Sequence, residues 1–327
     1  MRAVIVGPGA VGVWMGERLA ASGATMSALG RGATLAALQA HGFRVREGGE
    51  TRSQPVIASD DASALGPQDY VIISLKAQAL PQVAPRLAPL IGPKTAIVSA
   101  MNGVPWWFFQ GFGGPMDGAV LRSVDPQQTL CQLLPVERVI GCVLHNSNAC
   151  PEPGLSEVAG IDRLMFGEPN GVATSRVTAL ADAFRTAAVR AEIDAAIRTP
   201  IWAKLWGNMA MNPLSALTLS GTGAILGDDG VRAMVIEMMR EMAAVGAAFG
   251  ITLPVTPEQR IAVTRKLGDF RTSMLQDREQ GRDLEIEPLL GAVVEIGARL
   301  GLPTPYLAAV LGMTRLLSRA TASLGSR

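Results

Sequence analysis

Three polar side chains repeat at four-residue intervals in an otherwise apolar part of the chain. Lys204, Asn208 and Asn212 are the polar members of residues 201–213, where every other position is apolar or small. In an α-helix this spacing puts the three side chains on one face, within about 80°. A helix that is apolar on its other sides is buried, so we expect this face to line a cavity. There the lysine would donate a proton and the amides would position a substrate. The alternative is a helix that faces water where two domains meet.

A second polar cluster follows in the C-terminal part of the sequence. Ser273 opens the segment 273–277, and Glu285 and Glu287 lie just before a predicted helix. Carboxylates in that position often serve only to stabilise the helix dipole. This structural interpretation accounts for Glu287 and competes with a functional one for Glu285.

The N-terminus has the spacing of a phosphate-binding turn. Residues 7–12 read Gly-Pro-Gly-Ala-Val-Gly, directly after the apolar run 2–6 and before a helical segment. Glycines let the backbone turn tightly and approach a pyrophosphate, whose charge then lies against the N–H groups that begin the helix. The turn therefore predicts a dinucleotide site. Its predicted members are Gly7, Gly9, Ala10, Val11 and Gly12, and the alternative is a purely structural turn.

The end of the second strand indicates which dinucleotide binds. An acidic residue there would bind the ribose hydroxyls of NAD, but residues 28–32 read Ala-Leu-Gly-Arg-Gly. Arg31 can instead pair with a 2′-phosphate through its planar guanidinium. The sequence therefore favours NADP, and the alternative is that Arg31 is a solvated surface residue.

Two further polar residues directly follow predicted strands. Lys76 comes after the run 70–75, and Asn102 after 96–101. Ligands of open parallel sheets bind at the carboxyl ends of the strands, so both are candidate ligand contacts. Lys76 is equally well explained as a loop residue, and Asn102-Gly103 as a tight turn.

Strands alternate with helices through the first half of the chain. Apolar runs that read as strands occupy residues 2–6, 25–29, 55–58, 70–75 and 96–99. This alternation predicts a doubly wound parallel sheet of the Rossmann type. From residue 199 the sequence reads as helices, at 200–219, 229–249, 257–267, 284–300 and 305–319. We therefore predict an α/β fold with an NADP-binding domain at 1–197 and an all-helical substrate-binding domain at 198–327.

Composition argues against several classes of protein. The net charge is +1 without a basic cluster, so we expect no nucleic-acid partner. Two histidines and three cysteines without metal-ligand spacing predict neither a metal site nor a disulfide framework. The uncharged stretches 95–116 and 205–227 are long enough to span a membrane, but glycines, asparagines and prolines interrupt both. We expect a cytoplasmic protein.

Six ordered motifs together resemble the ketopantoate reductase (2-dehydropantoate 2-reductase) family across nearly the whole chain. They are Gly7–Gly12, Leu75-Lys76-Ala77, Asn102-Gly103, Lys204-x3-Asn208-x3-Asn212-Pro213-Leu214, residues 273–277, and Gly281-Arg282-x2-Glu285-Ile286. The resemblance implies a Rossmann domain followed by a helical domain like that of 6-phosphogluconate dehydrogenase. It also implies NADPH-dependent reduction of a small 2-oxo acid, from ketopantoate to pantoate on the pantothenate and coenzyme A route. The oligomeric state stays open, with a homodimer as one expectation.

The resemblance assigns roles on the substrate side by position. Lys204 would be the general acid that protonates the nascent alkoxide. Asn208, Asn212 and Ser273 would hold the substrate, and Glu285 would lie beside the nicotinamide and the substrate hydroxyl.

On the cofactor side the same resemblance implies four further contacts. Asn102 would contact both cofactor and substrate, while Arg31 and Lys76 would face the phosphoadenosine ribose. Ser147 would contribute backbone contacts to the cofactor.

Two departures from the family pattern bear on the substrate. The stretch between residues 103 and 141 is longer and more aromatic, and Thr222 stands where some members have a substrate-binding asparagine. Residues 106–109, Trp-Trp-Phe-Phe, would either reshape the pocket for another acid or serve as core or dimer packing. A paralogous reductase of another branched 2-oxo acid is therefore an alternative. A non-catalytic NADP-sensing protein and a flavoprotein are alternatives from other classes.

Overall fold

A computed structural model describes residues 1–160 and 163–325. The chain forms two compact units: Met1–Met101 with Gln127–Arg198, and Asn102–Pro126 with the chain from Thr199 onward. The later boundary lies beside the predicted one at 197/198. The prediction of a continuous first domain differs from this division, because residues 102–126 pack with the helices of the second unit.

The first unit contains twelve strands and five α-helices within its described residues. In chain order they are β1 (Arg2–Val6), α1 (Ala10–Ala21), β2 (Thr25–Leu29), α2 (Gly32–His41), β3 (Phe43–Glu47), β4 (Glu50–Gln54), β5 (Ile57–Ser59), β6 (Gln68–Ile73), α3 (Leu80–Val83), β7 (Ile91–Ser99), α4 (Leu130–Leu133), β8 (Val139–His145), β9 (Asn148–Ala149), β10 (Leu155–Val158), β11 (Arg163–Gly167), α5 (Ser175–Thr186) and β12 (Arg190–Ile193).

The main sheet confirms the predicted Rossmann-type architecture. Its strand order is β12-β11-β8-β7-β6-β1-β2-β5, and every neighbouring pair is parallel except β8 with β11. The central strands are apolar on both faces because helices cover both sides of such a sheet. Between β6 and β7 the chain forms the short α3, followed by a 3₁₀ helix at Ala84–Leu90. Prolines 81, 85 and 89 remove the N–H groups that a longer α-helix needs.

A second, four-stranded sheet was not predicted. It has the order β4-β3-β10-β9 and begins with the antiparallel hairpin β3–β4. Gly48 and Gly49 form the turn with φ of 59° and 87°, the positive values that a two-residue hairpin turn requires.

The second unit is helical, as predicted. Its helices are α6 (Arg198–Thr218), α7 (Thr222–Gly227), α8 (Asp229–Phe249), α9 (Pro257–Lys266), α10 (Ser273–Glu279), α11 (Ala292–Arg299) and α12 (Pro305–Gly325). The predicted helix 284–300 begins as a π-helical turn at Glu287–Gly291 that leads into α11. None of the described helices is long and apolar enough to cross a membrane.

The aromatic run of the 102–126 segment belongs to the core of the second unit. All four residues of 106–109 are at most 3% exposed. The rings of Phe109 and Trp202 lie 5.3 and 4.9 Å from the ring of Phe249 on α8. Burial of these rings explains why the segment joins the helices, and it favours the packing interpretation of the run.

Candidate functional site

Local geometry requires two of the three glycines of the N-terminal turn. Gly7 has φ of +85°, and a Cβ there would lie 2.4 Å from Leu75 Cδ2. A Cβ on Gly12 would lie 2.4 Å from Ser74 Oγ, so this glycine lets α1 approach the sheet. A Cβ on Gly9 would meet nothing within 4 Å. The first and third glycines therefore shape the turn, and the second keeps the space above it open.

The start of α1 faces that open space. Gly9 is the N-cap of the helix and provides no side-chain cap for its first N–H groups. The N–H groups of Ala10, Val11 and Gly12 therefore begin the helix without partners from the preceding turn of the same helix. Ser74 Oγ holds the turn by donating a 2.9 Å hydrogen bond to the Gly7 carbonyl. An anion fits such a helix start, where the N–H dipoles favour negative charge.

A cavity of about 460 Å³ lies over this turn. Gly7, Gly9, Arg31 and Lys76 all line it, so the structure brings these predicted cofactor contacts together. Arg31 is the N-cap of α2, and Lys76 follows the strand β6. The glycine turn, the helix start and the two cations fit a phosphate-bearing dinucleotide in size and charge.

Sequence reasoning missed five polar residues that line the same cavity: Thr34, Asp60, Ser74, Gln82 and Arg86. Thr34 lies on α2 and Asp60 follows β5, and Arg86 Nη2 donates a 2.9 Å hydrogen bond to the Asp60 carbonyl. Strand β5 pairs in parallel with β2, so the residue that follows it reaches the same edge of the sheet as Arg31. The apolar run 55–58 predicts this strand, so the sequence could have indicated Asp60 as a residue at that edge. No sequence pattern near Arg86 indicates that it lines the cavity, because its position depends on how the 3₁₀ helix at Ala84–Leu90 packs.

Ser147 lies elsewhere in the first unit. It is exposed between β8 and β9, and its carbonyl accepts a 2.8 Å hydrogen bond from Ala159 N. The described residues that line the cavity do not include it. Its backbone contact with the cofactor stays a prediction.

In the second unit, Lys204 and Asn102 meet although 102 residues separate them in sequence. Lys204 Nζ donates a 2.9 Å hydrogen bond to Asn102 Oδ1. The neighbouring apolar side chains of α6, Trp202, Leu205 and Trp206, are at most 2% exposed. The lysine face of the helix is therefore the open one, and a neutral amide fixes the ammonium group there.

The two asparagines of α6 extend the same face. Asn208 is half-buried and Asn212 is 7% exposed. Within the described chain neither side-chain amide has a recorded hydrogen bond to protein. Buried polar groups normally have hydrogen-bond partners, so amides in this position are suited to bind a polar ligand.

Asn102 is held by the turn that follows it. Gly103 has φ of +84°, and a Cβ there would lie 2.6 Å from the carbonyl oxygen of Pro288. Val104 N donates a 3.0 Å hydrogen bond to the same carbonyl. Only glycine fits this close approach, which fixes Asn102 against the π-helical turn.

The far end of the 102–126 segment is held by one carboxylate. Glu295 on α11 accepts hydrogen bonds from the N–H groups of Arg122 and Ser123, both at 2.9 Å, and from Ser123 Oγ at 2.7 Å. Burial alone would raise the pKa of Glu295, but these hydrogen bonds outweigh it and hold the pKa below its usual value.

The remaining predicted residues of the second unit differ in their surroundings. Glu285 is buried, 9% exposed, three residues before Pro288. Ser273 is exposed at the first position of α10. Glu287 forms a two-pronged ion pair with Arg315 at 2.6 Å, which agrees with its structural interpretation. Thr222 is buried, and its hydroxyl accepts a hydrogen bond from Phe270 N, so its role is structural. The placement of Ser273 on the substrate stays a prediction.

The chemistry available on α6 is proton donation beside neutral hydrogen-bonding groups. An ammonium can both stabilise negative charge that develops on an oxygen and protonate it. No group of three or more His, Cys, Asp or Glu positioned to hold a metal occurs among the described residues.

Family models match both parts of the chain. The model described as "Ketopantoate reductase PanE/ApbA" matches residues 3–171. The model described as "Ketopantoate reductase PanE/ApbA C terminal" matches residues 196–318.

Individual proteins match over nearly their full length. A 2-dehydropantoate 2-reductase of Mesorhizobium japonicum is 43% identical over 97% of this chain and 98% of its own. A crystal structure described as a ketopantoate reductase from Ralstonia solanacearum MolK2 is 47% identical, covers 98% of both chains and has a TM-score of 0.94. The structure of a D-mandelate dehydrogenase with NADH and anilino(oxo)acetate has a TM-score of 0.82 at 20% identity, covering 98% of this chain and all of its own. This last likeness bears on the fold alone.

Proposed function

The chain belongs to the ketopantoate reductase family, and on that premise we propose that it reduces 2-dehydropantoate (ketopantoate) to pantoate with NADPH, a step in pantothenate and coenzyme A biosynthesis. The observation that carries the proposal is the 2.9 Å hydrogen bond between Lys204 Nζ and Asn102 Oδ1 on the open face of α6. A protein that only senses a nucleotide would not need a fixed proton donor there.

Reduction of a 2-oxo acid places negative charge on the former keto oxygen. Bound NADPH would supply the hydride to the keto carbon. As the carbonyl electron pair moves onto oxygen, the Lys204 ammonium stabilises the charge and then transfers a proton to it. The products balance as a 2-hydroxy acid, NADP⁺ and a neutral Lys204 amine, which regains its proton from solvent.

The neutral groups around Lys204 position the substrate. The Asn102 amide oxygen keeps the ammonium in one place, and the Asn208 and Asn212 amides offer donors and acceptors to the substrate's polar groups. The family resemblance adds Ser273 as a substrate contact and Glu285 beside the nicotinamide and the substrate hydroxyl. Because the asparagines carry no charge, they orient an anionic substrate without repelling it.

The choice of NADPH over NADH rests on the cavity in the first unit. Arg31 and Lys76 line it together with Arg86, and a 2′-phosphate would be paired there by cations. Asp60 is the carboxylate in the same lining, and its backbone carbonyl already holds Arg86.

The test is NADPH oxidation with ketopantoate, beside a panel of other branched 2-oxo acids and an NADH control. We expect the highest kcat/KM with ketopantoate and NADPH. Preference for another acid would replace the substrate assignment by a paralogous one. Absence of turnover with every acid, combined with tight NADPH binding, would favour the sensing alternative.

A variant of Lys204 tests its proposed role as the proton donor. Lys204→Ala should lower kcat by about 100-fold or more and leave NADPH binding unchanged, because general acid catalysis contributes about that much. Lys266→Ala, at the exposed end of α9, is the matched control and should retain wild-type kcat. Unchanged turnover in Lys204→Ala would remove Lys204 from the proposed mechanism.

A further inference from the structure

A half-buried arginine in the second unit has no acidic partner among the residues that the structure describes. Arg260 lies on α9, and its guanidinium makes one recorded hydrogen bond within the described chain, from Nη1 to Thr264 Oγ1 at 2.9 Å. The acidic residue on the same helix, Glu258, pairs instead with Arg240 at 2.9 Å. Burial lowers the pKa of the Arg260 guanidinium, with no neighbouring carboxylate to offset it. A cation in such surroundings favours an anionic ligand.

The guanidinium lies against α6 at one particular glycine. A Cβ on Gly207 would be 2.7 Å from Arg260 Nη2, 3.4 Å from Cζ and 3.6 Å from Nε. Three atoms of the group therefore lie over the position where any other residue would carry a side chain. Glycine within a helix is less favourable than alanine, so the space at Gly207 is obtained at the expense of helix stability.

Gly207 belongs to the open face of α6. Lys204, Gly207 and Asn208 are the half-buried positions that alternate with the buried Leu205, Trp206 and Met209. Residues three apart on a helix have neighbouring side-chain positions, about 5–6 Å between Cβ atoms. Arg260 therefore brings a second cation to within one helical turn of the proton donor.

We propose that Arg260 binds the carboxylate of the 2-oxo acid substrate, an inference that rests on the proposed function. In a 2-oxo acid the carboxylate is bonded directly to the keto carbon, so a site that directs Lys204 to the keto oxygen must receive a carboxylate next to it. The planar guanidinium matches two carboxylate oxygens at once. It also keeps its charge while Lys204 gives up a proton, since arginine stays protonated in proteins.

The test compares Arg260→Met with Arg265→Met in the full-length protein. Arg265 is an exposed arginine on the same helix that donates a 2.6 Å hydrogen bond to the Leu226 carbonyl. Loss of a charge-assisted pair should raise KM for ketopantoate roughly 10- to 100-fold in Arg260→Met. The Kd for NADPH should stay within about twofold of wild type, and Arg265→Met should keep the wild-type KM, since neither depends on the carboxylate contact. An unchanged KM in Arg260→Met overturns the proposal.

Two further variants exclude a merely structural role. Arg260→Lys keeps the charge without the planar fork and should recover part of the lost affinity. Gly207→Ala leaves Arg260 in place but pushes its guanidinium aside, so KM should rise severalfold while Tm does not fall, because alanine favours the helix. A KM rise that follows only loss of Tm across these variants would overturn the proposal.

Titration of pantoate in the presence of NADP⁺ separates this inference from the proposed function. If the wild type binds pantoate without reducing ketopantoate, and Arg260→Met loses that binding, the carboxylate contact of Arg260 is supported and the proposed reaction is refuted. If the wild type reduces ketopantoate and Arg260→Met binds pantoate equally well, the proposed reaction is supported and the carboxylate contact is refuted. If the wild type neither reduces ketopantoate nor binds pantoate, both proposals are refuted.

Discussion

Replacing Asn102 with alanine removes the acceptor that holds the Lys204 ammonium, and the effect should depend on whether Lys204 is present. The hydrogen bond is 2.9 Å long and its donor is charged. A hydrogen bond of this kind is worth about 1.5–3 kcal/mol. At about 1.4 kcal/mol per factor of ten, its loss corresponds to roughly 10- to 150-fold in kcat if it serves mainly to place the proton donor.

The assay is a double-mutant cycle in kcat at saturating ketopantoate and NADPH. It uses the wild type, Asn102→Ala, Lys204→Ala and the double variant. We expect Asn102→Ala to lower kcat at least about 10-fold in the wild-type background but less than about threefold when Lys204 is already alanine. Asn170→Ala, in an exposed turn, is the control for loss of an asparagine and should have no effect. Equal losses in both backgrounds would refute the reasoning, since Asn102 would then act independently of Lys204.

Two further predictions concern the cofactor and the 102–126 segment. Arg31→Ala should raise KM for NADPH roughly 10- to 100-fold and change KM for NADH little, because only NADPH carries the 2′-phosphate; equal changes for both would contradict the assignment. Glu295→Gln should lower the free energy of unfolding at pH 7 by about 1–3 kcal/mol, measured by urea denaturation. The folded pKa of Glu295 is lowered, so its contribution is present above the unfolded pKa of about 4.3 and is lost as pH falls through the folded pKa. A wild-type to variant difference that stays constant down to pH 3 would rule out this explanation.

The parts of the molecule that follow from local periodicity could be predicted from the sequence. Strand β1, the glycine turn and α1 are contiguous, so their residue types alone indicate the dinucleotide site. The four-residue spacing of Lys204, Asn208 and Asn212 likewise required only the helical period. The β3–β4 hairpin was missed although its signal was present, since the paired glycines at 48 and 49 lie between alternating segments.

The parts that depend on distant packing could not be predicted in the same way. Asn102 and Lys76 each follow a strand of the sheet, and that position alone predicts a ligand contact for both. It does not indicate the neighbours that the structure gives them: Lys76 lines the cavity of the first unit, and Asn102, at the start of the 102–126 segment, bonds to Lys204. The aromatic residues that draw this segment onto α8 have no periodic pattern, so only the folded core shows where it belongs.

The proposed role of Arg260 likewise could not be predicted from the sequence. In the sequence it is one of two arginines in a polar helix, and its residue type gives no reason to single it out. Its proposed role as a carboxylate-binding residue rests on two features of the packing. Arg260 has no acidic partner within the described chain, and a glycine on α6 makes room for its guanidinium. Lys204 needs Asn102 to fix its position, and the substrate's carboxylate needs a second cation that does not take part in proton transfer. An arginine that reaches the open face of α6 from another helix meets that need, because its charge persists through the reaction.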